Sequence, residues 1–88
     1  MKSILVVEDE EAISLVLAAY LKKAGFRVTR TADGNEAVRL FEAGDFSLVL
    51  LDIMLPGMDG WELLKLIREK SACPVIMLTA RDRIQDRL

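Results

Sequence analysis

The stretch Leu48-Val49-Leu50-Leu51-Asp52-Ile53-Met54-Leu55-Pro56-Gly57-Met58-Asp59-Gly60 decides how the chain folds. An apolar run from Phe46 to Leu51 ends on a carboxylate. A turn-forming segment follows, and an amphipathic stretch begins at Gly60. A continuous apolar run bounded by turn signals suits a strand buried on both faces. A charge inside such a strand is costly, so Asp52 is placed at the strand's end, where the sheet opens to water. In open α/β sheets that carboxyl end is where ligands bind.

Working outward, Ser3 to Val7 is a second apolar run, stopped by Glu8-Asp9-Glu10-Glu11. It reads as a buried strand leading into a helix. Acids at a helix N-terminus interact favourably with its dipole, which accounts for Glu10 and Glu11 better than for Glu8 and Asp9 at the strand tip. Ala12, Ile13, Val16, Leu17, Tyr20, Leu21 and Ala24 recur at helical spacing and predict one apolar face. Gly25 falls where a left-handed residue would end that helix. Phe26 to Thr31 alternates, with Phe26, Val28 and Arg30 on one side, as in a less buried strand near an edge of the sheet.

Asp33-Gly34 starts a second helix with Ala37, Leu40 and Phe41 on its apolar side, and Gly44-Asp45 ends it. After Gly60, Leu63, Leu64 and Ile67 mark a third helix, with Lys65, Arg68, Glu69 and Lys70 towards water. Val75 to Leu78 is another apolar strand, ending in Thr79-Ala80, and Ile84 and Leu88 suggest the start of a further helix. The order β-α-β-α-β-α-β-(α) implies parallel strands joined by right-handed crossovers. No linker or repeat divides residues 1–88, which read as one domain.

Composition narrows the functional classes. The 88 residues carry 12 Lys and Arg against 14 Asp and Glu, a net charge of -2. That gives no electrostatic footprint for nucleic acid and no strong pull to an anionic membrane. No apolar stretch nears the roughly 20 residues that span a bilayer, and the start has no signal-peptide pattern. A cytoplasmic location is expected. There is no histidine, which removes His-based acid/base, nucleophilic and metal chemistry, and the single Cys73 reads as a small core residue.

Three strands thus end on polar groups: Glu8-Asp9, Asp52 and Thr79. In a parallel sheet these ends point the same way, so on neighbouring strands the side chains share a cleft. Adjacent carboxylates repel unless a cation or a shared proton intervenes. All-oxygen donors suit Mg²⁺, with Mn²⁺ as a second candidate. Thr79's hydroxyl and Ala80's backbone N–H could hold phosphate oxygens, and Asp52 would be a carboxylate nucleophile. Each element also has an ordinary reading: helix capping for Glu8-Asp9, a turn acid for Asp52, a β-branched strand residue for Thr79, and turn chemistry for Pro56-Gly57 and Asp59-Gly60. The coincidence of three strand ends favours the site.

These residues carry a resemblance. Ile4-Leu5-Val6-Val7-Glu8-Asp9-Glu10, the Asp52 to Gly60 segment, and Met77-Leu78-Thr79-Ala80-Arg81 together resemble the receiver domain of bacterial two-component response regulators, the CheY-like superfamily, most closely its OmpR-type members. The resemblance implies a flavodoxin-like, doubly wound parallel sheet with strand order 2-1-3-4. It implies that Asp52 accepts a phosphoryl group from a sensor histidine kinase, so that the chain is a signalling phosphoacceptor rather than an enzyme. Asp9 would ligate Mg²⁺ directly, with Glu8 acting through water and Asp52 and the Met54 backbone carbonyl completing the site. Thr79 would be the switch hydroxyl and Ala80 an N–H donor to phosphate. OmpR-type members also carry a DNA-binding domain, absent from this sequence.

The resemblance further implies a fifth strand and helix, with a lysine that pairs with the phosphoryl group. Residues 1–88 contain neither, so the expectation is a C-terminally truncated receiver with slow phosphorylation or none and Mg²⁺ binding partly retained. Val75 to Leu78 would then be an apolar edge that invites self-association. Two other functional classes compete. A haloacid-dehalogenase phosphatase would place a second aspartate where Met54 stands, which argues against that class. For a receiver-like interaction or dimerisation module without phosphotransfer, the acids and Thr79 argue against that as the role of the parent protein, while residues 1–88 alone remain compatible with it.

Overall fold

The structure of the chain, a computed structural model, describes residues 1–55 and 57–78. The elements run β1 (Ser3–Val7), α1 (Glu11–Lys23), β2 (Arg27–Thr31), α2 (Gly34–Ala43), β3 (Leu48–Asp52), α3 (Gly60–Lys70) and β4 (Val75–Leu78). All three strand pairings are parallel, and the four-stranded sheet has the order β2-β1-β3-β4. The element order is that expected from the sequence, and the strand order is that implied by the resemblance. The start of another helix expected after Ala80 lies outside the described residues.

β1 and β3 sit at the centre and are buried on both faces, which is why they read as unbroken apolar runs. Alternation then sorts their side chains. Leu5, Val7, Val49 and Leu51 face α2 and α3 and pack with Ala37, Leu63, Ile67 and Cys73. Ile4, Val6 and Leu50 face the other way and pack with Leu17, Leu21, Phe26 and Val28. Cys73 is buried and donates its thiol to the Phe46 carbonyl, so it belongs to the core as expected.

The helix ends follow local chemistry. Gly25 takes φ +99°, with Gly25 N–H bonded to the Lys22 carbonyl and Phe26 N–H to the Leu21 carbonyl. This is a Schellman ending, closed by Phe26 and Leu21 in the same apolar cluster. Asp33 and Asp59 cap α2 and α3 by accepting from Asn35 N–H at 3.1 Å and Trp61 N–H at 2.7 Å.

Helix α1 differs from its sequence pattern. Its buried residues are the small Ser14 and Ala18, while Leu17 and Leu21 are half-buried and Val16 and Tyr20 are exposed. The predicted apolar face is therefore rotated partly off the sheet. Tertiary contacts give the reason. Glu11 and Ser14 both engage Arg30 on β2, which draws that flank of the helix over β1 and β2. Small residues at 14 and 18 allow the close approach. The opposite flank, with Val16 and Tyr20, is exposed.

Candidate metal and phosphoacceptor site

Parallel pairing of Val7 with Leu51 places the ends of β1 and β3 side by side. Glu8 follows β1 directly and continues its ladder, its N–H donating to the Thr31 carbonyl at 3.0 Å. Asp52 closes β3. Carboxylate oxygens of Glu8, Asp9 and Asp52 all lie within 4.8 Å of one another. Glu8 and Asp52 are buried, at 4% and 3% exposure, while Asp9 is open to solvent.

Two backbone N–H groups from the following residues reach into the cluster. Glu10 N–H donates to Glu8 Oε2 at 2.9 Å, and Met54 N–H donates to Asp52 Oδ1 at 3.3 Å. Burial pushes the carboxyl of Glu8 above the usual range, and the charge of Asp52 adds to this against the opposing Glu10 N–H. Burial likewise pushes Asp52 up, reinforced by Asp9 and opposed by the Met54 N–H. Such crowding favours a bound proton or a bound cation. The donors are all hard oxygens without His or Cys, a set that fits Mg²⁺ or Mn²⁺.

The structure thus brings together Glu8, Asp9 and Asp52, with Met54 two residues beyond. Thr79 and Ala80, the expected hydroxyl and N–H donors, lie outside the described residues. Beside the carboxylates, an open polar cleft at the C-terminal ends of β1 and β2 is lined by Glu8, Asp9, Glu11, Ser14, Arg30 and Glu36, among others. Arg30 bridges to Glu11 at 2.8 Å, and Thr31 donates to Glu36. Little in the residue pattern signals this cleft. Only the alternation of β2, which sets Arg30 on the same side as Val28, hinted that the guanidinium faces α1.

The family model for the response regulator receiver domain matches residues 4–88. The chain belongs to the response regulator receiver domain family. This receiver domain is 48% identical over 88 residues to the sensory transduction protein RegX3 of Mycolicibacterium smegmatis, covering 100% of this chain and 39% of that protein. It is 41% identical over 85 residues to the transcriptional regulatory protein HprR of Escherichia coli, covering 97% of this chain and 38% of HprR. The receiver therefore spans well under half the length of these relatives. Among solved structures it resembles the response regulator TrrA of Thermotoga maritima in complex with Mg²⁺ and BeF, with a TM-score of 0.86 and 38% identity over 100% of this chain and 77% of that one. TrrA has also been solved in complex with the histidine kinase ThkA, and there the match has a TM-score of 0.85 and 41% identity, over 91% of this chain and 70% of that one. The receiver is a signalling module of the two-component type, and its relatives are named as sensory transduction and transcriptional regulatory proteins. Among its described residues no helix is long and apolar enough to cross a membrane.

Proposed function

We propose that this receiver domain accepts a phosphoryl group on Asp52 from the phosphohistidine of a sensor histidine kinase, with Mg²⁺ held at Glu8, Asp9, Asp52 and the Met54 backbone carbonyl. The observation that carries the reading is the convergence of three carboxylates within 4.8 Å at the ends of β1 and β3. The Mg²⁺–BeF complex of TrrA and its complex with a kinase support it by likeness.

In this reading Asp52 uses one oxygen to form the new O–P bond while the N–P bond to the donor histidine breaks. Oδ1 is held by the Met54 N–H, which fixes the carboxylate plane and leaves the second oxygen for attack. Glu8 and Asp9 hold the cation, which when bound offsets phosphate charge. Thr79 and Ala80 serve as hydroxyl and N–H donors to the phosphoryl oxygens. The domain regulates an output region of the larger regulator, in the cytoplasm, and makes no direct contact with nucleic acid or membrane.

Acetyl phosphate with Mg²⁺, followed by intact mass, tests the chemistry. A phosphoryl adduct that is lost in Asp52→Asn supports the assignment, and labelling that persists in Asp52→Asn overturns it.

One observation favours a second reading, an interaction module. β4 lies at the edge of the described sheet, and its Ile76 is 52% exposed. Apolar edges pair with other chains, so in this reading the domain self-associates through Val75 to Leu78 without phosphotransfer. Sedimentation showing a well-folded monomer at high concentration would remove this reading.

A further inference from the structure

Gly34 opens α2, on a different element from all three clustered carboxylates, yet it touches the loop that follows Asp52. A Cβ on Gly34 would lie 2.6 Å from Met58 Cβ, 3.3 Å from its Cγ and 3.5 Å from its carbonyl oxygen. Carbon atoms in good contact stand about 3.5–4.0 Å apart. The obstructing Cβ is fixed to the loop backbone, so no change of rotamer could clear it and the contact between the loop and the start of α2 would have to open.

Gly57, at φ +79°, faces the same helix start. A Cβ there would lie 3.4 Å from Asn35 Nδ2 and 3.5 Å from Asp33 Oδ1. At its other end the loop is closed by Gly60, whose N–H donates to the Ile53 carbonyl at 2.7 Å. A Cβ on Gly60 would lie 2.5 Å from the Asp52 carbonyl oxygen. The loop is thus pinned at its base by the first residue of α3 and near its tip by the first residue of α2. Met54 lies between the two pins.

We propose that Gly34 is a positioning residue for the divalent-cation site. By letting the start of α2 close onto Met58, it fixes the loop that presents the Met54 carbonyl beside Asp52. The proposal rests on the reading of that carbonyl as a ligand and adds a determinant from outside the loop. Mg²⁺ requires near-ideal octahedral geometry at about 2.0–2.1 Å. A loop displaced by a fraction of an ångström therefore loses affinity without losing the fold.

The test is a Mg²⁺ titration of the 88-residue chain followed by Trp61 fluorescence, with thermal melting in EDTA as the measure of folding. Gly34→Ala is expected to weaken Mg²⁺ about tenfold, the scale on which groups supporting a metal site act, while the EDTA melt stays cooperative. Adding Met58→Gly removes the obstructing Cβ and is expected to restore affinity to that of Met58→Gly alone. Adding Met58→Ala keeps the Cβ and is expected not to. Wild-type affinity in Gly34→Ala overturns the proposal. So does a Gly34→Ala/Met58→Gly protein that binds tenfold more weakly than Met58→Gly, a comparison that stands even if Gly34→Ala alone fails to fold. A wild-type chain with no Mg²⁺ response sinks the metal reading and this proposal together, whereas a responsive wild type with an unaffected Gly34→Ala sinks this proposal alone.

Discussion

The two faces of the sheet are built differently. On one, α2 and α3 lie over the central strands and bury Leu63 and Ile67 against Leu5, Val7, Val49 and Leu51. On the other, one helix among the described residues lies over β1 and β2, and there Val16, Tyr20 and Ile76 are about half exposed or more. Both faces draw on similar apolar sequence. The difference shows that apolar periodicity selects a helix's type, whereas what that helix buries depends on how many neighbours share the face. The acid cluster sits at the rim where the two faces meet, held from the α2–α3 side through the loop after Asp52.

The contrast can be broken most directly by cutting equal chemistry from each face. Leu63→Ala removes a fully buried side chain and is expected to cost about 2–5 kcal/mol, read as a lowered denaturant midpoint. If Leu63→Ala proves mild, the α2–α3 face is not the better packed one. Loss of the Asp59 cap tests the junction between that face and the site. Asp59→Ala is expected to cost about 1 kcal/mol and to weaken Mg²⁺ binding as well, since α3 begins at the base of the metal loop. At the other extreme, Val16→Ser on the exposed flank of α1 is expected to change stability by no more than about 0.5 kcal/mol. A large loss there would mean that the flank is covered in solution, and sedimentation of the same variant would show whether a second copy covers it.

The rim makes a prediction of opposite sign. In EDTA, Glu8 and Asp52 bind protons more tightly in the folded chain than at their ordinary values of 4.5 and 3.8. Their protonated forms thus favour the folded state. That contribution is whole below the ordinary carboxyl range and is lost as pH rises through the raised values. The apo chain is expected to lose stability relative to Asp52→Asn over that interval, and Mg²⁺ at neutral pH is expected to restore it. Parallel pH profiles of the two proteins in EDTA would refute the crowding of these carboxyls.

Much of this was legible in the residues. The runs Ser3 to Val7 and Leu48 to Leu51 had to be central strands, because no other setting buries both of their faces. Asp52 had to lie at a strand end, because a buried mid-strand charge has no compensation. Asp33-Gly34 announced a helix start and Gly25 a left-handed ending, because these depend on a few neighbouring atoms, whereas Asp59, read as turn chemistry, caps α3. The packing of α1 was not legible. Its pattern favoured Val16 and Tyr20, but the Arg30 contacts and the small Ser14 and Ala18 set which flank meets the sheet. The contact between Gly34 and Met58 was likewise hidden, since the pair is distant in sequence and neither residue signals the other.

By itself, then, the sequence determined the strands, the helix ends and the acids that terminate the strands, since each follows from local sterics and from the cost of burying charge. Only the tertiary structure decided that Glu8, Asp9 and Asp52 meet within one ion's reach, that α1 turns its small residues inward, and that α2 closes on the loop after Asp52. Those outcomes depend on register between strands and on approach distances between helices, and both are set by packing among residues that no local pattern connects.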